Sequence, residues 1–143
     1  MTRLVILKLG GSIVTEKQRG RAAVRARLVR KIALALARAL HVEHDIRLLL
    51  LYGGGSFGHP LAHRYRLTNA PLNRRTLLGF GRTTGAMREL GNIITEIFLE
   101  VGLSVIPLQT SSCVVQRGGR LRFLDFGVVE TILRYGGIPL LGG

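Results

Sequence analysis

An α/β protein built on a mainly parallel sheet is what this sequence predicts, and three observations predict it. Short apolar runs are closed by glycine, stretches of helical period lie between them, and the connections are long enough for crossovers. With 143 residues, 47% of them hydrophobic, the chain has the size of one domain with a real core.

The run "RLVILKLGGS" reads as a buried core strand that delivers Lys8 and a glycine turn to its carboxyl end. A polar loop follows. Over residues 21 to 41, Val24, Leu28, Ile32, Leu36 and Leu40 recur every four positions with alanine between them, which predicts one long amphipathic helix. "DIRLLLLY" is a second buried strand. Pro60 suits the first turn of a helix, so "SFGHPLAHRY" opens a short helix just beyond three glycines, with its N-terminus aimed at them. A linker around "LTNAPLN" leads to residues 74 to 101, where Leu77, Leu78, Met87, Leu90, Ile94, Ile97 and Phe98 supply an apolar face. Gly79, Gly81, Gly85 and Gly91 interrupt that face, predicting a helix bent or broken early. "SVIPLQ" is a third strand, "CVVQRGGRLRFLD" a hairpin turning at Gly-Gly, "FGVVETILRYG" a short helix and "GIPLL" a fourth core strand.

The charge is strongly basic, with 21 Lys+Arg against 8 Asp+Glu, a formal +13 carried almost entirely by arginine. Such a field attracts phosphates or nucleic acid. The arginines are scattered, only residues 19 to 31 being dense, and a solvated helix face accounts for that block. One cysteine, Cys113, excludes an internal disulfide framework and fits a reducing compartment. Apolar runs fall well short of the roughly 20 residues of a membrane span, and the N-terminus reads as a strand, so a soluble, cytoplasmic protein without membrane contact is expected.

The chemistry centres on "LLLLYGGGSFGHP", residues 48 to 60. Glycines after a strand let backbone N–H groups approach an anion, and a following helix adds the positive end of its dipole. The pattern is neither a Walker A loop nor a dinucleotide fingerprint, and a tight turn without ligand has the same glycines. Lys8 ends another strand of the same sheet, and parallel strands converge their carboxyl ends on one crevice. Flanked by Leu7 and Leu9, its ammonium would be costly to bury unless it met an anion there. His59 and His63 are spaced to share a helix face, but no third ligand accompanies them, so no metal site is expected.

Together, "KLGGSIVTEK" and "GGGSFGHP" resemble the amino acid kinase superfamily, and within it the isopentenyl phosphate kinases. The resemblance continues through "GAMRELGNIITEIFLEVGLSVIPLQTSSCVV" and "YGGIPLLGG". It spans essentially this whole chain but only the first half or slightly more of the family's length. It implies an αβα sandwich, truncated here. Residues 1 to 143 would be the N-terminal phosphoacceptor-binding portion, without the C-terminal portion that holds most of the ATP site. The activity implied is ATP-dependent phosphorylation of isopentenyl phosphate to the diphosphate, in isoprenoid biosynthesis, with ATP and Mg2+ as cofactors.

Residue by residue, the resemblance gives Lys8 and His59 the catalytic positions. Lys8 would contact the transferring phosphate, and His59 would hydrogen-bond the acceptor phosphate. Gly10 and Gly11 fall on the glycine turn lining the phosphate channel, Lys17 on a second family lysine that binds phosphate or substrate, and Gly54, Gly55 and Gly58 on the glycines whose amides hold the acceptor. Phe80, Thr83 and Met87 fall on the wall around its tail, where Thr83 departs from the family's bulky apolar side chains. Gln109, Ser111 and Ser112 support the site after the third strand. Tyr52 stands where relatives usually have histidine. The partners implied are a small alkyl phosphate, and either a second copy of the chain or a complementing C-terminal half, with no nucleic acid. The closing "GIPLL" strand, uncovered in a chain of this length, is expected to present an open edge and to promote association. Three competing readings stand beside this one. They are a carboxylate-specific amino acid kinase, which would lack His59, a basic nucleic-acid-binding module, and a catalytically inactive remnant serving as a partner subunit.

Overall fold

A computed structural model describes residues 2–18, 20–68 and 70–143; Arg19 of the basic block and Asn69 of the linker lie outside the described residues. The elements follow as β1 (Arg3–Leu9), α1 (Gly11–Val14), β2 (Thr15–Gln18), β3 (Arg21–Val24), α2 (Ala26–Val42), β4 (Ile46–Tyr52), α3 (Gly55–Arg64), α4 (Arg74–Leu99), β5 (Val105–Leu108), α5 (Thr110–Cys113), β6 (Val114–Arg117), β7 (Arg120–Leu124), α6 (Gly127–Arg134) and β8 (Ile138–Gly142).

The four core strands read from the sequence form one sheet in the order β1-β4-β8-β5, with every pairing parallel. Alternation along the strands divides their side chains between two faces. Val5, Leu7, Leu9, Leu48, Leu50, Tyr52, Val105, Ile138 and Leu140 join the main core with Val29 and Ala33 of α2 and Leu90, Ile94, Ile97 and Phe98 of α4. The other face carries a smaller cluster, in which α6 lays Val129 and Leu133 over Leu49, Leu51, Leu108 and Leu141. α6 packs chiefly on β8 and β4, and Leu4 and Ile6 of β1 stay 52% and 60% exposed.

Several expectations are corrected. β8 is an interior strand between β4 and β5, and its residues Ile138 to Leu141 are buried, so the open edge belongs to β1 and β5. Lys8, in place of burial in a core strand, is exposed on edge strand β1, and its ammonium carries no burial cost. The polar loop and the first turn of the expected helix are instead the antiparallel hairpin β2–β3, which turns through Gly20 at φ 79°. α2 therefore begins at Ala26, and its most buried residues are Val29 and Ala33, while Leu28 is exposed.

Pro60 is the sixth residue of α3, not part of its first turn. α4 is one continuous helix of 26 residues. Its start is fixed by a capping box, in which the Asn73 side chain accepts from the Arg75 and Thr76 amides and Thr76 Oγ1 accepts from the Asn73 amide. Two of its glycines are packing requirements, not breaks, since Gly79 lies against the Tyr65 ring and Gly91 against the Tyr52 hydroxyl. The Gly118-Gly119 turn of β6–β7 forms as expected, both residues having positive φ, with a register shift between Val115 and Gln116.

Candidate functional site

Two glycine turns meet at the carboxyl end of the sheet. One follows β1 into α1, the other follows β4 into α3, and they touch backbone to backbone. A Cβ on Gly11 would stand 2.6 Å from Gly55 N and Cα, and one on Gly53 would stand 2.7 Å from Gly11 N. Side chains at either position would push the turns apart. Gly55 is excluded from substitution twice, by its φ of 45° and by the Thr15 hydroxyl lying directly where a Cβ would go.

The backbone donors of the second turn can be accounted for one by one. Gly53 N–H donates to Leu9 O (3.0 Å), Ser56 N–H to Thr15 Oγ1 (2.9 Å), Phe57 N–H to Gly54 O (3.0 Å) and Gly58 N–H to Gly54 O (2.9 Å). Among the described residues, the amides of Gly54 and Gly55 donate to no protein acceptor. They stand at the N-terminus of α3, a helix of 10 residues, where the helix dipole favours negative charge. Gly58 contributes by lacking a side chain instead. Its Cβ would lie 2.8 Å from Met87 Sδ, so α3 and α4 approach closely there.

Beside the cradle opens a cavity of about 500 Å³. Gly54, Gly58, His59 and Ala62 form its α3 side. Phe80, Thr83, Thr84, Met87, Arg88, Gly91 and Asn92 form the α4 side at three- and four-residue steps along one helical face. Pro107 to Ser111 close it from β5 and α5, and Tyr52, Gly142 and Gly143 close it at the sheet. The Thr83 hydroxyl donates to Gly79 O (2.9 Å), so it needs no partner inside the cavity. Thr110 Oγ1 ties α5 to β8 through Gly142 O (2.5 Å).

Tyr52 spans from β4 to α4. It is 6% exposed, its hydroxyl donates to Met87 O (2.9 Å), and burial raises its pKa above the ordinary tyrosine value. Close contact with its ring demands glycine at two neighbours. A Cβ on Gly91 would stand 2.5 Å from the hydroxyl oxygen, and one on Gly142 2.8 Å.

Of the residues singled out by sequence, Gly54, Gly58, His59, Phe80, Thr83, Met87, Gln109 and Ser111 converge on the cavity. Lys8, Gly10, Gly11, Lys17, Gly55 and Ser112 are not part of its lining, although Gly11 and Gly55 build the turns that border it. His63 is exposed on α3 and does not line the cavity. Thr84, Arg88, Gly91 and Asn92 went unassigned in the sequence, yet stepping by four from Phe80 along α4 reaches Thr84, Arg88 and Asn92 in turn. Among the described residues, no three His, Cys, Asp or Glu side chains are grouped to hold a metal ion. No helix among them is long and apolar enough to cross a membrane.

Comparison with known proteins identifies the family and the fold. The profile of the amino acid kinase family matches residues 3–143. The isopentenyl phosphate kinase of Methanothermobacter thermautotrophicus is 29% identical over 98% of this chain and 53% of its own length, and that of Methanocaldococcus jannaschii is 32% identical over 98% and 55%. Among solved structures, an isopentenyl phosphate kinase superposes with a TM-score of 0.90 at 29% identity, covering 99% of this chain and 58% of the other. An aspartate kinase from Synechocystis, at 15% identity and a TM-score of 0.64, shares the fold. The chain spans about half the length of the curated relatives it matches. By sequence profile and by superposition, this chain is a member of the amino acid kinase family.

Proposed function

We propose that the chain is the acceptor-binding portion of an isopentenyl phosphate kinase, the part that holds an alkyl monophosphate while its phosphate attacks the γ-phosphoryl group of ATP. The observation that carries this reading is the pair of uncommitted amides, Gly54 and Gly55, at a helix N-terminus, beside His59 and at the mouth of a largely apolar-walled cavity. An anion binds where the donors are, and the tail lies between Phe80, Met87, Leu108 and Tyr52. At about 500 Å³ the cavity falls within the ordinary range of small-molecule sites.

An alkyl phosphate is ionised near neutral pH and needs no strong general base to act as nucleophile. Catalysis by positioning and charge stabilisation then suffices. The Gly54 and Gly55 amides fix the nucleophilic phosphate, and a ring N–H of His59 holds one of its oxygens. Lys8, two residues before the Gly10-Gly11 turn, supplies positive charge to the oxygens in transfer, and Lys17 on the β2–β3 hairpin adds to the same field. Exposure of Lys8 supports this role, since a solvated ammonium on an edge strand is free to turn toward a bound anion. Among the described residues no three His, Cys, Asp or Glu side chains are grouped into a preformed metal site, and Mg2+ would be held chiefly by the substrate phosphates.

Titration of the 143-residue chain with isopentenyl phosphate, in competition with glutamate and aspartate, tests the reading. Expected is binding of the alkyl phosphate that weakens in His59→Ala, with no competition from the amino acids. Preferential binding of an amino acid, or binding indifferent to His59, would overturn it.

A further inference from the structure

Thr15, to which the sequence reading gave no role, lies at the contact of the two glycine turns. It is 4% exposed. Its hydroxyl makes two bonds at once, donating to Gly11 O in the first turn (2.7 Å) and accepting from Ser56 N–H at the start of α3 (2.9 Å). Its own carbonyl accepts from Arg25 Nε (3.3 Å), which holds β2 to the N-terminus of α2. A second strap runs alongside, from Ser56 Oγ to the carbonyl oxygen of Glu16 (2.9 Å).

This arrangement has two consequences for an anion. The first concerns donor number. Near a helix N-terminus the Ser56 amide would ordinarily be open to a ligand, but Thr15 occupies it, leaving Gly54 and Gly55. The second concerns distance. The turns after β1 and β4 carry the residues that face the reacting phosphates from two sides, and the Thr15 hydroxyl is the side-chain atom bonded to both. The backbone contact between Gly11 and Gly55 prevents the turns from coming closer, and the Thr15 hydroxyl, together with the Gly53 N–H bond to Leu9 O and the Ser56 strap, resists their separation.

We infer that Thr15 is a positioning residue for phosphoryl transfer, whose hydroxyl sets the spacing of the two glycine turns and restricts the acceptor cradle to the Gly54 and Gly55 amides. The inference rests on the phosphate-acceptor reading of the cradle.

Amide-resolved NMR of the 143-residue chain gives two independent readouts, the shifts of Gly54 and Gly55 on titration with isopentenyl phosphate and the hydrogen-exchange protection of Ser56 without ligand. In Thr15→Val, which keeps the shape and removes the hydroxyl, Ser56 exchange should accelerate at least tenfold and the titration midpoint should rise about tenfold. Thr15→Ser should restore both. Should the valine variant not fold, Thr15→Ala and Thr15→Ser form the comparison, because both lack the methyl group and differ only by the hydroxyl. Unchanged Ser56 protection and an unchanged midpoint without the hydroxyl would overturn the inference. If isopentenyl phosphate leaves Gly54 and Gly55 undisturbed in the unmodified chain, the acceptor reading fails, and the spacing role is then decided by exchange alone. It stands only if Ser56 loses protection without the hydroxyl and regains it in Thr15→Ser.

Discussion

Replacing Gly91 by alanine pits two effects of opposite sign against each other, and the structure decides which wins. In a helix interior, alanine is favoured over glycine by about 1 kcal/mol, so a solvent-facing glycine in α4 should be stabilised by the change. Gly91 is not solvent-facing. A Cβ there would stand 2.5 Å from the Tyr52 hydroxyl oxygen and 3.1 Å from Cζ. Two contacts resist displacement of the ring, since Gly142 packs against its hydroxyl end and the hydroxyl is bonded to Met87 O. Moving it would break that bond and leave a buried hydroxyl unsatisfied, at about 1–3 kcal/mol, and overpacking adds a comparable cost. Set against the propensity gain, the net is a loss of about 1–5 kcal/mol. Urea unfolding of the wild type, Gly91→Ala, Tyr52→Phe and the double variant measures it as a cycle. In the Tyr52→Phe background the nearest contact recedes to the ring carbon, and the cost of the alanine should shrink by about 1 kcal/mol or more. Stabilisation of the otherwise unmodified chain by Gly91→Ala would refute the packing argument.

Other outcomes follow from the same structure. Gly81→Ala, at an exposed α4 position with nothing within 4 Å of its Cβ, should raise stability by up to about 1 kcal/mol in the same urea assay. Stability should fall on the alkaline side through Tyr52: with its folded pKa raised above 10.0 by burial, its contribution is complete below that pH and is lost as pH rises, because the unfolded phenol ionises first. Urea midpoints compared between the wild type and Tyr52→Phe from about pH 8 to 11 should show the steeper alkaline loss in the wild type. The exposed Leu4 and Ile6 on edge strand β1 should drive association that grows with concentration and with salt, as screening relaxes the repulsion of the +13 charge. Leu4→Lys combined with Ile6→Lys should reduce that association in light scattering.

Much of the fold was legible because the four core strands are apolar runs ended by turn residues, a signal that burial on both faces produces directly in the interior strands β4 and β8. The β2–β3 hairpin was not, since "TEKQ" and "RAAV" lack apolar alternation and are held by pairing with each other. Strand order was hidden for a different reason. Sequence places β8 last, but two crossovers insert it between β4 and β5, and only tertiary packing tells an interior strand from an edge. The same fact misled the reading of Lys8, whose leucine neighbours imply burial that an edge strand with one uncovered face does not provide. In the candidate site, glycine spacing located the turn between β4 and α3, yet which of its amides remain uncommitted depends on Leu9 O, Gly54 O and Thr15 Oγ1, acceptors that no linear pattern aligns.

Phosphoryl transfer itself tests the central claim most directly. The chain should be fused to the portion of the Methanothermobacter thermautotrophicus enzyme that it does not match and assayed for ATP consumption with isopentenyl phosphate, glutamate and aspartate as acceptors. The account predicts turnover with isopentenyl phosphate alone, reduced roughly a hundred- to thousandfold by His59→Ala, the usual effect of losing one well-placed donor to a reacting group. Turnover with an amino acid, or full activity without His59, would contradict it.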